Sequence, residues 1–229
     1  DLDIPIGFSS IIDMKIIIGG NEYIDNYVVD MLVPTSYVTF DTASALKLEL
    51  EGDAPAGTVV FSGTELDTAI VVGSDVVLRF SNGVVSSLNN VFNITDGAEL
   101  TVDGINFTGK GFVNITDGKV NLLNCGFQHC TSTVIKGKGD LTVDSCSFID
   151  NTCCLDINGN VDLLNTLFDL SDSDYLDISN PAFIHCFKGL TVDFCQFNID
   201  LHGLSSLGMS YVMFFLGKDG STNQVANNT

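Results

Sequence analysis

The stretch from Val91 to Asp169 repeats itself, and that repeat limits what the chain can fold into. VFNITDGAELTVDGINFTGKG is followed by FVNITDGKVNLLNCGFQHCTS, then TVIKGKGDLTVDSCSFIDNT, then CLDINGNVDLLNTLFDLS. Phe107, Phe127, Phe148 and Phe168 fall at steps of 20, 21 and 20 residues. Leu100, Val120, Leu141 and Val161 keep the same register, as do Val102, Leu122, Val143 and Leu163, and Ile105, Cys125, Cys146 and Thr166. A unit this short cannot bury its own apolar face, so it must stack on its neighbours as a solenoid.

Within each unit the apolar residues alternate, as in Leu100 and Val102, then Ile105 and Phe107, which is strand spacing. The alternation slips by one residue at Asp103-Gly104, Leu123-Asn124, Asp144-Ser145 and Leu164-Asn165. Gly and Asn tolerate the left-handed backbone of a tight corner, so a bend is expected there. Thr95 to Gly97, Thr116 to Gly118 and Asn158 to Asn160 mark a second corner, and the variable stretch after each Phe marks a third. Three short strands and three corners per unit describe an all-β, right-handed parallel β-helix with coils of about 20–22 residues. A leucine-rich repeat has a similar period, but its fixed Leu positions and convex helix are missing here.

The ends are less regular. IPIGFSSIIDMKIIIGG and YVVDMLVPTSYVTFD read as strands of an irregular β-rich region over residues 1–68, a candidate cap or assembly segment. In ALKLELEG, Leu46, Leu48 and Leu50 alternate with charges, so a strand is expected, with a short helix capped by Asp41 as the alternative. The β-helix is expected over 69–203, with an early coil whose Leu78 and Phe80 precede Leu100 and Val102 by 22 residues. After Phe168 an insertion intervenes, and Leu190, Val192, Cys195 and Phe197 refill the columns after a step of 29. Residues 204–229 hold the most apolar run, Tyr211 to Leu216, then a polar tail, and read as a C-terminal strand and tail, a second candidate cap or assembly segment.

The chain carries 29 acidic and 9 basic residues, a formal net charge of -20. Such a polyanion is repelled by nucleic-acid phosphates and anionic lipid. Its dispersed acids suit solubility, with calcium at Asp-rich turns as the alternative and no other cofactor expected. No apolar run approaches the roughly 18 residues that a transmembrane helix needs. A start at Asp1 suits a mature product whose targeting peptide has been removed, although an expressed fragment would look the same. Asn93, Asn106, Asn114 and Asn227 each head an Asn-x-Thr triplet, the acceptor pattern for N-glycosylation.

Seven cysteines leave at least one unpaired. Cys125, Cys146 and Cys195 share an inward column and read as small buried hydrophobes. One strand spacing, about 4.8 Å, would still allow a Cys125–Cys146 disulfide. Cys130, Cys153 and Cys154 fall at a corner and are the better disulfide candidates. His129, His185 and His202 share no motif with them, which argues against zinc.

The runs LTVDGINFTG, LLNCGFQHCTS and LTVDSCSFIDNT resemble the repeats of adhesin-like right-handed β-helix surface proteins and of polymorphic outer-membrane-type proteins with Cys-x-Phe repeats. The resemblance covers Leu78 to about Asp200 and leaves both ends unmatched. It implies an extracellular or cell-surface, often glycosylated, elongated protein with a structural or adhesive role, meeting a surface glycan or protein by contact. The alternatives are a lyase- or hydrolase-like β-helix enzyme and a viral fibre or tailspike domain. Lyases that share this architecture use calcium-binding carboxylates with an Arg or Lys base, and the related hydrolases use an Asp-Asp pair with a Gly-His-Gly loop. Here Arg79 is the only arginine, no Asp-Asp occurs, and Leu201 replaces the first glycine before His202-Gly203. Catalysis is therefore not expected. No end cap is legible, and both ends are apolar and strand-prone: Ile4, Ile6, Ile16, Ile17 and Ile18 at one, Tyr211, Val212, Phe214, Phe215 and Leu216 at the other. The expected partner is thus a second copy, joined head to tail into a filament, with a terminal segment folded back to cap its own solenoid as the alternative.

Overall fold

The computed structural model describes residues 10–18, 21–29, 37–53, 55–170, 182–199, 211–215, 223–226 and 228. They fall into two compact units, Asp1–Tyr37 and Val38–Thr229. In the first, β1 (Ser10–Ile18) and β2 (Asn21–Val29) pair antiparallel from Ser10↔Val29 to Ile18↔Asn21.

The second unit is a parallel β-solenoid of about six turns. Its first face stacks β3 (Val38–Phe40), β4 (Thr58–Phe61), β6 (Val76–Phe80), β8 (Glu99–Asp103), β10 (Lys119–Leu123), β13 (Asp140–Asp144), β16 (Val161–Leu164), β19 (Leu190–Asp193) and β22 (Asn223–Ala226), in that order. The second face is built from the leading halves of β7 (Val85–Ile94) and β9 (Asn106–Ile115). It continues through β11 (Gly126–Gln128), β14 (Ser147–Ile149), β17 (Leu167–Leu170) and β20 (Gln196–Ile199). The third begins with β5 (Ile70–Val72) and the trailing halves of β7 and β9. After them come β12 (Thr133–Gly137), β15 (Cys153–Ile157), β18 (Ala182–Cys186) and β21 (Tyr211–Phe215).

The repeat columns are the sheet registers. Leu100, Val120, Leu141, Val161 and Leu190 are paired rung to rung, as are Val102, Leu122, Val143, Leu163 and Val192, and all are buried. Phe127, Phe148, Phe168 and Phe197 stack inside the second face at centroid distances of 5.1, 5.1 and 5.2 Å, with planes 21°, 7° and 7° apart. Phe107 stands 6.4 Å from Phe127 because Phe112, arriving from the third face, lies between them at 4.9 and 5.2 Å. The slip between the first two faces is a left-handed residue on five successive coils, from β8 to β19: Gly104, Asn124, Ser145, Asn165 and Phe194, at φ 82°, 54°, 55°, 49° and 53°. Gly and Asn suit that backbone, whereas Phe194 adopts it while 62% exposed.

Three expectations change. ALKLELEG is the helix α1 (Ala43–Leu50), whose Thr42 Oγ1, and not Asp41, accepts the Ala45 N–H at 3.3 Å. Ala43, Leu46 and Leu50 lie on its buried side while Leu48 is 80% exposed, so the helical spacing of Leu46 and Leu50 prevailed over the alternation. The early coil is in a different register: Val76 pairs with Leu100 and Leu78 with Val102, a step of 24, because the corner after β6 is longer and β7 carries a bulge between Ser87 and Asn90. A cap is also present, and α1 forms it. On the open edge of β5, Glu51 Oε1 accepts the Val71 N–H at 2.7 Å and Lys47 Nζ donates to the Ala69 carbonyl at 2.7 Å, so the helix and the turn after it satisfy the groups that a first strand leaves bare.

The first face takes in β3 and β4, before residue 69, and at its far end β22 pairs with β19 from Leu190↔Asn223 to Asp193↔Ala226. The polar tail is held by this pairing and by Asn228, whose Oδ1 accepts the Cys195 N–H at 2.8 Å.

Candidate functional site

Corners interrupt the ladder, and the side chains beneath them take over the freed backbone groups. Thr166 Oγ1 accepts the Cys146 N–H at 3.4 Å and donates to the Leu164 carbonyl at 2.7 Å. Cys146 Sγ accepts the Cys125 N–H at 3.4 Å, and Asn228 closes the series on Cys195 and on the Val192 carbonyl at 3.1 Å. The inward Cys column therefore acts as a hydrogen-bonding ladder as well as apolar filling. At the corner between the second and third faces, Asn151 is fully buried. Its Oδ1 accepts the Cys130 N–H at 2.9 Å and its Nδ2 donates to the Phe127 carbonyl at 2.9 Å. Asn151 shares the 21-residue step with Cys130, and that step was the one sequence signal for it.

All seven cysteines are free, buried thiols. Cys130, Cys153 and Cys154 are gathered at the Asn151 corner. Burial pushes the Cys130 thiol up to about 12. Burial also raises Cys154, and the neighbouring Cys153 and Cys130 add to it. At the other corner the hydrogen bond to Cys125, together with burial, raises Cys146. Cys130, Cys146 and Cys154 are thereby held as neutral thiols, whereas the same hydrogen bond with Cys146 lowers Cys125 against the opposing effect of burial.

The outer faces carry the accessible chemistry. On the second face a groove of about 470 Å3 runs from Val84 to Ile149 between Asn106, Gln128 and Ser147. Its floor is Gly126, where a Cβ would lie 2.5 Å from Asn106 Oδ1 and 3.4 Å from Ser147 Oγ, so the missing side chain opens the groove. His129 stands at the rim with Nε2 4.0 Å from Asp150 Oδ2 and 3.4 Å from Gln128 Nε2. Among the described residues the Ser147 hydroxyl makes no hydrogen bond, so Ser147 and His129 line one groove without forming a nucleophile–base pair.

On the third face the outward column runs Val71, Asn93, Asn114, Lys136, Asp156, His185. Asn93 and Asn114 are directly opposed on adjacent rungs, as their triplets implied, but their amides are tied together. Asn114 Nδ2 donates to Asn93 Oδ1 at 2.8 Å, and Thr116 Oγ1 donates to the same oxygen at 2.8 Å. Asn106 instead is exposed on the second face with, among the described residues, no side-chain hydrogen bond. Asn227 lies outside the described residues.

Ile4, Ile6 and Leu216 also lie outside them. Ile16, Ile17 and Ile18 are in β1, and Tyr211, Val212, Phe214 and Phe215 are in β21. Among the described residues no three His, Cys, Asp or Glu side chains converge as metal ligands, calcium's carboxylates included. Among the same residues no helix is long and apolar enough to cross a membrane.

The fold defines the class, a parallel β-solenoid. No family model matches the chain, and neither a curated protein nor a solved structure matches it.

Proposed function

We propose that this is a non-catalytic extracellular or cell-surface protein that acts by contact, its solenoid holding recognition surfaces rigidly. The groove over Gly126 is the observation that carries the reading. Its walls are uncharged hydrogen-bonding side chains, Asn106, Gln128 and Ser147, and its ends are apolar, with Val84 61% exposed. That mixture suits a neutral glycan or a peptide. The rigid sheet beneath positions each group without ordering cost on binding.

End-to-end association belongs to the same proposal. Among the described residues β20, β21 and β22 have no strand on their outer edges, and an open edge recruits a further strand.

The test is retention of glycans and surface proteins on the immobilised chain, with the recovered ligand assayed for cleavage. The expected result is an intact ligand whose retention falls when Gly126→Val fills the groove. Cleaved product would overturn the non-catalytic reading in favour of a lyase or hydrolase, and retention unchanged by Gly126→Val would remove the groove from it. Surface proteolysis of intact source cells checks the location, and a glycan at Asn106 in native material would support export. Sedimentation that stays monomeric at every concentration would end the filament proposal.

A further inference from the structure

The third face carries a second concavity with different chemistry, of about 270 Å3, lined by Asn114, Lys136, Lys138, Asp156 and Asn158. The register explains why these groups meet. Lys136 is paired between Asn114 and Asp156 on the neighbouring rungs. Gly137, at φ 133°, then turns the chain so that Lys138 emerges at the corner, and the Asn158 N–H donates to the Gly137 carbonyl at 2.8 Å. A side chain is barred at Gly137, since its Cβ would lie 2.0 Å from the Ile115 carbonyl oxygen.

In a chain of net charge -20, Lys47 pairs with Glu51, Lys119 with Glu99 at 3.3 Å and Arg79 with Asp103 at 3.8 Å. Among the described residues Lys136 and Lys138 make no ion pair and no side-chain hydrogen bond, although Asp156 lies opposite Lys136. Asp156 instead faces His185, with Oδ1 3.6 Å from Nδ1. Among the described residues Lys110 and Lys188 are also without an ion pair, but this concavity brings two such lysines together. Two unpaired ammonium groups in one concavity are a site for an anion.

The remaining groups narrow the ligand. Asn114, Asn158 and Asp156 offer amide and carboxylate acceptors of the kind that bind hydroxyl groups. The Asp156 carboxylate opposes a dianion such as phosphate, and the overall charge opposes a polyanion. The volume is below the roughly 300–1,000 Å3 of a drug-sized site, so the ligand is small. We infer that this concavity binds a small polyhydroxylated monocarboxylate, such as the acidic sugar terminus of a glycan. The carboxylate lies between Lys136 and Lys138, and the hydroxyls meet Asn114, Asp156 and Asn158. The second-face groove plays no part in this.

Calorimetric titration of the full chain with glucuronate, glucose and inorganic phosphate tests the inference. Glucuronate is expected to bind about tenfold or more tightly than glucose, with Lys136→Gln and Lys138→Gln each weakening it about tenfold, the size of a charge-assisted hydrogen bond. Added salt should weaken glucuronate binding and leave glucose unaffected. Both substitutions are on accessible side chains, so melting temperatures should match the parent and separate a lost site from a lost fold. Equal affinity for glucuronate and glucose, phosphate binding as tight as glucuronate, or full glucuronate binding by the Lys136→Gln, Lys138→Gln double variant would each overturn it.

Discussion

Replacing Asn151 by Leu keeps the number and branching of the side-chain heavy atoms but removes both hydrogen bonds that tie it to the corner after Phe127. The Cys130 N–H and the Phe127 carbonyl, each bonded to Asn151 at 2.9 Å, would be left without partners in a place water does not reach. A buried orphaned group costs about 1–3 kcal/mol, so the pair should cost about 2–6 kcal/mol. That is a large part of the roughly 5–15 kcal/mol that keeps a domain folded. Asn228 is the internal control. It bonds the Cys195 N–H and the Val192 carbonyl in the same way, at 2.8 and 3.1 Å, but is only half-buried on the last coil. Water can replace it, so Asn228→Leu should cost about 0.5–1.5 kcal/mol. Urea unfolding followed by far-ultraviolet circular dichroism reads both, provided the slopes agree between variants. Equal costs for the two, or a loss below about 1 kcal/mol for Asn151→Leu, would refute the claim that burial of the corner ladder sets its value.

Phe148→Ala empties a ring stacked on both sides and should cost about 3–5 kcal/mol, whereas half-buried Phe197, stacked among the described residues on Phe168 alone, should cost about 1–2 kcal/mol in the same urea assay. Phe194→Asn places the residue of Asn124 and Asn165 at a left-handed corner, so calorimetry should show a gain of about 1 kcal/mol, a rise of about 2–4 °C; a lower melting temperature would contradict the strain. At Glu51 burial opposes ionisation, but the Lys47 hydrogen bond, the Val71 N–H and the Lys47 charge outweigh it and hold the carboxyl below its ordinary 4.5. A depressed carboxyl stabilises above the unfolded value and loses that stabilisation as pH falls through the folded one. The stability gap between the parent and Glu51→Gln should therefore be constant above about pH 5 and close below it; a gap that persists into strong acid would exclude Glu51 as the ionic clasp of the cap.

The middle of the fold was legible because burial and backbone geometry act there on the same 20- or 21-residue step. An inward Val or Leu on one coil demands one on the next, and a left-handed corner demands Gly, Asn or Ser where Gly104, Asn124 and Ser145 stand. Helix α1 was not, because Leu46, Leu48 and Leu50 fit a strand equally well and only the solenoid end beneath selects the face of Leu46 and Leu50. The first coil slipped by two residues because its extra residues lie in a corner and in the β7 bulge, where length is free to vary. Asn151 reads as a surface residue in IDNT, and only packing shows that it replaces a broken ladder. The groove and the lysine concavity draw their side chains from several coils, so no contiguous motif announces either. The triplets at Asn93 and Asn114 were visible, but the amide ladder that joins them depends on the rung register.

The claim on which the rest stands is that successive repeats are parallel rungs in one register. Inter-strand backbone contacts in nuclear magnetic resonance spectra of labelled protein test it directly. They should connect the Val102, Leu122, Val143 and Leu163 neighbourhoods in sequence, each to the next and in parallel alignment. Antiparallel contacts between adjacent segments, or a step that places Leu122 opposite Leu100 in place of Val102, would contradict the solenoid register and with it both proposed binding surfaces.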